Sequence, residues 1–194
     1  MKNAFFVTAS IACGKSSFMK MAQDKGFNTI NADSIAHQIL EEKAEQIATL
    51  FKDHHILKDQ KIDRKALALL IFSDEKSKTK LENFMHPLIK DEILKQALVL
   101  DAKNKAFFIE LPLFFENTNY QGLGKSILIY APKELSLQRL MQRDKLSKEE
   151  ALKRLNAQLD IEIKKQKADF IIDNSKDLVH FQEQSEIFFN SLNL

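Results

Sequence analysis

The sequence is most restricted by five short apolar runs separated by longer stretches of helical period. The runs are Ala4-Phe5-Phe6-Val7, residues 27–30, Ala106-Phe107-Phe108-Ile109, Ser126-Ile127-Leu128-Ile129-Tyr130 and Phe170-Ile171-Ile172. The first is apolar on both faces, as expected of a strand buried between two layers rather than half-exposed, and the others are likewise read as strands. The intervening stretches carry apolar residues at helical spacing: Phe18, Met21 and Ala22 in the first, Ile35, Ile39 and Leu40 in the second. Strands alternating with helices give a parallel sheet covered on both faces, and the fold class is α/β. Gly26 is placed to cap the first helix. Residues 45–100 read as mostly helical, with Ile47, Leu50, Phe51, Leu67, Leu70 and Ile71 on apolar faces, and Pro87 is expected to interrupt the helix and start a new one after His86. The last helix carries Leu178, Phe181, Ile187 and Phe188.

Composition removes several function classes. The formal net charge of the 194 residues is +2, which gives no ground for a nucleic-acid or membrane-surface partner. Cys13 is the lone cysteine, so an internal disulfide and a Cys-cluster zinc site are both excluded. The longest wholly apolar run, residues 66–72, is far short of the roughly 20 residues that cross a bilayer. No signal peptide is visible, and a cytoplasmic protein is expected. With no repeat, low-complexity tract or linker, one domain is expected over residues 1–194, and no obligate protein partner is evident.

Chemistry enters with the segment after the first strand, Thr8-Ala9-Ser10-Ile11-Ala12-Cys13-Gly14-Lys15-Ser16-Ser17. A phosphate-binding loop has the pattern G-x-x-x-x-G-K-[ST] between a strand and a helix. Its N–H groups cradle phosphate oxygens, its lysine reaches between phosphates, and its hydroxyl holds a magnesium ion. Gly14, Lys15 and Ser16 satisfy the end of the pattern, whereas Ala9 stands where its first glycine belongs. The bland alternative is an ordinary helix start, which the flanking strand and amphipathic helix disfavour. Cys13 reads as a small filler, with a reactive thiol as the alternative because helix N-termini depress thiol pKa values.

Several segments together resemble the dephospho-coenzyme A kinases. They are the loop 8–17, Asn31-Ala32-Asp33, Leu81-Glu82 with His86-Pro87, and Pro112-Leu113-Phe114-Phe115-Glu116, then Arg139, Arg143-Asp144, Arg154 with Gln158, and Ala168-Asp169-Phe170-Ile171-Ile172-Asp173-Asn174. The resemblance implies a five-stranded parallel P-loop kinase core flanked by helices, a helical substrate-binding region over about residues 33–95 and a helical lid over about residues 139–165. It implies transfer of the ATP γ-phosphoryl group to the ribose 3′-hydroxyl of dephospho-coenzyme A. ATP would be the co-substrate and Mg2+ the metal. The family loop usually reads Thr-Gly-Gly-Ile-Gly-Ser-Gly-Lys-Ser-Thr; here Ala9, Ser10 and Ala12 replace three glycines and Ser17 the final threonine. The family's usual Asp-Ala-Asp is Asn31-Ala32-Asp33.

By this resemblance Asp33 is the base for the attacking hydroxyl; on its residue type alone it could equally N-cap the next helix. Lys15, Arg139 and Arg143 are catalytic alongside it, the two arginines sharing a helix face four residues apart. Ala12, Cys13, Gly14, Lys15, Ser16, Ser17 and Asn174 are expected around the nucleotide, Asn174 either at adenine or closing a turn. Asp33, His86, Pro112 and Glu116 are expected on the acceptor. Ser16 is the magnesium ligand, with Glu110 reaching the metal through water or standing as a plain strand-end acid. Two other readings stay open: another P-loop nucleoside or nucleotide kinase, and a degenerate nucleotide-binding module without turnover, which the lost loop glycines favour.

Overall fold

The computed structural model describes residues 1–192. In chain order the elements are β1 (Ala4–Ala9), α1 (Lys15–Asp24), β2 (Asn28–Asn31), α2 (Ala32–Glu42), α3 (Ala44–Leu50), β3 (Leu57–Lys58), β4 (Lys61–Ile62), α4 (Arg64–Ser73), α5 (Glu75–Asp101), β5 (Phe107–Glu110), β6 (Lys125–Tyr130), α6 (Lys133–Asp144), α7 (Lys148–Asn156), α8 (Ile161–Lys167), β7 (Phe170–Asp173) and α9 (Leu178–Ser191). Five strands form one sheet in the order β2-β5-β1-β6-β7. The pairings of β1 with β5, β1 with β6 and β6 with β7 are parallel, with Phe6 opposite Ile109 on one side and Ser126 on the other. All six residues of the central strand β1 are buried, which is why its sequence is apolar on both faces.

The chain divides into two compact units. One comprises Met1–Ile30 with the chain from Ala97 onward, and the other is Asn31–Gln96. The first contains the large sheet and a core built mostly of phenylalanine. Phe108, fully buried, meets Phe5, Phe18, Phe27, Phe188 and Phe189 at centroid separations of 5.1–6.5 Å, with tilted or edge-on rings. These rings come from β1, α1, β5, α9 and the turn before β2, so one cluster ties the sheet to the helices on one of its faces. Helix α9 buries Phe181, Ser185, Phe188 and Phe189, whereas Leu178 and Ile187 are exposed.

In the second unit the sequence expectation fails twice. Pro87 does not divide the helix: α5 runs unbroken for 27 residues through it. A proline inside a helix loses one hydrogen bond and crowds the preceding turn, at a cost of about 3 kcal/mol. The buried stripe of Met85, Ile93 and Ala97 runs along one side of α5 while Pro87 faces solvent, and burial of that stripe offsets the local cost. Residues 57–62, expected to be helical, form a small antiparallel hairpin. Its turn residues Asp59 and Gln60 have φ of 50° and 63°. Two consecutive positive φ values match the twist of a two-residue hairpin, usually supplied by glycine or asparagine. No glycine marks this turn in the sequence.

Among the described residues no helix is long and apolar enough to cross a membrane. The two tyrosines provide a direct check of the packing. Tyr120 is pushed up to about 12 by burial. Tyr130 is also raised to about 12, first by donating its hydroxyl to Glu162 Oε1 at 2.7 Å and then by burial. A raised tyrosine stabilises the fold fully below the unfolded value of about 10 and loses that contribution as pH rises towards about 12. Phenolate absorbance should therefore stay absent from the native protein at pH 10.5 and be present at that pH in denaturant. Ordinary titration of either tyrosine near pH 10 in the native state would contradict these two environments.

Candidate active site

In open α/β sheets ligands collect beyond the carboxyl ends of the strands. The loop after β1 lies at that edge, as do the 110–116 segment after β5 and Asn174 after β7. Ser10 to Cys13 make a turn closed by Cys13 N–H donating to Ser10 O at 3.2 Å. Within it Ala12 has φ of 63°, and Gly14 follows at φ of 99°. Gly14 is required twice over: its φ suits no other residue, and a Cβ there would sit 2.3 Å from Asn174 Nδ2. The Asn174 side chain is buried and donates to Cys13 O at 2.9 Å, bracing the loop from behind. Asn174 thus braces the loop, a role distinct from either alternative read from the sequence, an adenine contact or a turn closure.

Gly14 is also the N-cap of α1, with no side-chain cap and no acid in the first turn. Helix N-termini normally satisfy their leading N–H groups with a capping oxygen. Here neither a capping oxygen nor an acid competes for that positive end, an arrangement suited to an anion. Lys15 extends from the first helical position to form a close ion pair with Glu110 at the end of β5, both side chains nearly buried. Ser16 and Ser17 are exposed at the same helix end. The loop thus brings Ala12, Cys13, Gly14, Lys15, Ser16, Ser17, Glu110 and Asn174 together. Thr8 Oγ1 donates to Pro112 O at 2.8 Å, fastening the turn after β5 to β1.

Only one of the three replaced glycines occupies a conformation that asks for glycine. Ala9 belongs to β1 and Ser10 is absent from the positive-φ residues, whereas Ala12 is in the left-handed region. The loop shape survives the substitutions, with its strain confined to Ala12. Ile11 and Ala12 also pack beside a buried cluster of Leu140, Ala151 and Leu155 from α6 and α7. Cys13 is fully buried, with Sγ 3.2 Å from Ser136 Oγ. Burial pushes its thiol up, outweighing the opposing hydrogen bonds, so it is the inert filler and not a reactive nucleophile.

The arginines of residues 139–165 are held by the protein. Arg139 donates to Asn174 O at 3.1 Å and Lys176 O at 3.4 Å. Arg143 makes two bonds to Asp144, at 2.7 and 3.2 Å, and Arg154 reaches the same carboxylate at 3.1 Å. Hydrogen bonding by Arg143, ahead of its charge and that of Arg154, keeps Asp144 below the usual carboxylate range. Arg139 and Arg143, expected to act together, are thus engaged with different partners. Gln158 Oε1 accepts from Ile11 N–H at 2.9 Å, and a cavity of about 320 Å³ opens beside Ser10, Ser136, Leu155 and Gln158.

Asp33 and His86 belong to the second unit. Asn31, not Asp33, caps α2, accepting from Ser34 N–H at 2.8 Å. This corrects the capping alternative for Asp33, whose side chain is exposed in the first turn of the helix. His86 is exposed within α5. Glu116 is an exposed residue whose carboxylate is partly covered: its Oε1 accepts from Leu159 N–H at 3.0 Å and lies 2.8 Å from Lys164 Nζ. Lys164 is fully buried and was not singled out from the sequence. Its only signal is its position three residues after Ile161, on that residue's side of α8.

A parallel sheet with this loop after its central strand defines a P-loop phosphotransferase. The dephospho-CoA kinase family model matches residues 5–180. Dephospho-CoA kinases are 54% identical over 95% of this chain and 94% of the relative in Campylobacter jejuni strain RM1221, and 40% identical over 99% and 98% in Helicobacter pylori strain J99. A solved dephospho-CoA kinase from Campylobacter jejuni superimposes with a TM-score of 0.84, at 52% identity, over 98% of this chain and 97% of its own. The chain belongs to the dephospho-CoA kinase family, and it is a kinase of coenzyme A synthesis.

The left-handed backbone at Ala12 leads to a stability test. An L-residue there costs about 1–2 kcal/mol, against about 0.5–1 kcal/mol of extra backbone entropy for glycine. Ala12→Gly should therefore raise unfolding stability by about 0.5–1 kcal/mol in urea, whereas Ala9→Gly, in a buried strand, should lower it. Equal losses from both would show that Ala12 is not strained.

Proposed function

We propose that this chain transfers the γ-phosphoryl group of ATP to the ribose 3′-hydroxyl of dephospho-coenzyme A, with the loop 9–17 holding the nucleotide. The observation that carries this reading is the uncapped, acid-free N-terminus of α1 with Lys15 at its first position. Lys15 and the loop N–H groups bind and orient the phosphates, and Asn174 keeps the loop in shape from beneath. The region of about residues 33–95 is assigned the acceptor, with Asp33 and His86 among its contacts. As the hydroxyl oxygen attacks phosphorus, the bond to the ADP bridging oxygen breaks and Asp33 accepts the hydroxyl proton. Residues 139–165 serve as the lid, in which Arg139 and Arg143 exchange their present partners for the charge on the transferring group.

The donor set also suits magnesium. Among the described residues no three or more His, Cys, Asp or Glu side chains converge as a metal cage. Magnesium in phosphotransferases takes few protein ligands, filling its shell from phosphates and water. Ser16 would hold it directly and Glu110 through water. When bound, it neutralises charge on the phosphate oxygens.

Asp33→Asn separates this reading from a binding-only module. General bases supply about 10²–10⁴-fold in rate, so kcat should fall by that order. Because Asn31 is the cap, ATP binding and Tm should stay near those of the parent. A variant that turns over normally would remove Asp33 from the chemistry. Lys15→Ala should leave the fold intact while transfer from ATP collapses; unchanged activity would remove the loop from the reaction.

A further inference from the structure

Lys164 is the one buried side-chain polar atom among the described residues with no hydrogen-bond partner. It is fully buried, and its ammonium lies 2.8 Å from Oε1 of Glu116, an exposed residue whose side chain is partly covered. Such pairs are costly to desolvate and add little stability over apolar residues of the same size. Their retention here coincides with a specific geometry. The same Glu116 oxygen accepts from Leu159 N–H at 3.0 Å, and the preceding residue, Gln158, accepts from Ile11 N–H of the phosphate loop at 2.9 Å. Leu155, at the C-terminal end of α7, is in the apolar cluster against which Ile11 and Ala12 pack. A continuous path therefore runs from Lys164 through Glu116 and the 157–160 turn to the one strained stretch of the loop.

We propose that Glu116 and Lys164 are positioning residues for the nucleotide: their ion pair, in which the ammonium is enclosed, pins the 157–160 turn, so that Gln158 holds Ile11 and with it the anion-binding shape of the loop. This rests on the reading of residues 9–17 as the ATP site. It moves Glu116 from the acceptor, where the resemblance puts it, to the support of the donor site. Gln158 transmits the effect and the ion pair sets where it stands.

The experiment measures binding of a non-hydrolysable ATP analogue by calorimetry, beside steady-state KM values for both substrates. Glu116→Leu with Lys164→Met removes both charges together, so no buried charge is left unpaired and the double variant should melt close to the parent. Its Kd for the analogue and its KM for ATP should rise about tenfold, the scale of one lost hydrogen bond, with KM for dephospho-coenzyme A unchanged. Gln158→Ala, which leaves the pair in place, should give the same rise, and combining all three changes should be no worse than either set, as for residues acting in series. The proposal is overturned if the analogue binds both variants as it binds the parent, if the losses add, or if the charge-free variant raises KM for the acceptor instead. Gln158→Ala decides the matter alone should the charge-free variant not fold. A parent protein that binds the analogue yet does not phosphorylate dephospho-coenzyme A would overturn the proposed reaction and leave this inference standing.

Discussion

Everything at the phosphate site depends on a close contact between Gly14 and the Asn174 carboxamide. Asn174 follows β7, on the far side of β6 from β1, and its Nδ2 reaches Cys13 O at 2.9 Å. Only a residue without a Cβ leaves room for that approach. The contact fixes the carbonyl of residue 13 away from the cleft, and Gly14 then turns the backbone so that α1 begins at Lys15. Two segments more than 160 residues apart thus set the direction of one helix end. The local sequence provides Gly14, and the sheet order provides its partner.

Much of this was legible in the residues. Five mainly apolar runs identified the five strands of the sheet, most plainly the central β1, buried along its whole length, and least plainly the edge strands β2 and β7, in each of which one residue of four is buried. Gly14-Lys15-Ser16 located the nucleotide loop, because a strand before it and a helix after it restrict what that tripeptide can be. The hairpin at residues 57–62 was not legible: its turn places Asp59 and Gln60 at positive φ without a glycine to signal it. Continuity through Pro87 was not legible either, because the stripe that holds α5 together is burial, a property of the folded unit. Which apolar residues of α9 turn inward was not legible: Leu178 and Ile187 are apolar yet exposed, and apolar type alone does not choose a face. Lys164 was hidden for the opposite reason, a cation among cations in a polar helix whose burial only the tertiary structure reveals.

The charged groups show a division of labour that residue type conceals. Arg143 and Arg154 share Asp144 at the surface, where water screens the interaction and the partners can separate at small cost. Lys15 and Glu110 are paired in a nearly enclosed position at the mouth of the loop, and a phosphate arriving there competes with a carboxylate for the ammonium. Lys164 is enclosed where its charge cannot be left without Glu116. A surface pair can let go, a pair in the cleft can exchange partners, and a pair with one charge enclosed can do neither.

The burial of Cys13 has a consequence for how this protein tolerates its own substrate. Dephospho-coenzyme A carries a thiol, and oxidised forms of such molecules are disulfides that exchange with any accessible thiolate. Cys13 lies in the loop proposed to hold the nucleotide. With its side chain fully enclosed and its proton held by burial, it offers no thiolate for that attack. The loop can therefore handle a sulfur-bearing substrate through oxidative episodes without being captured as a mixed disulfide.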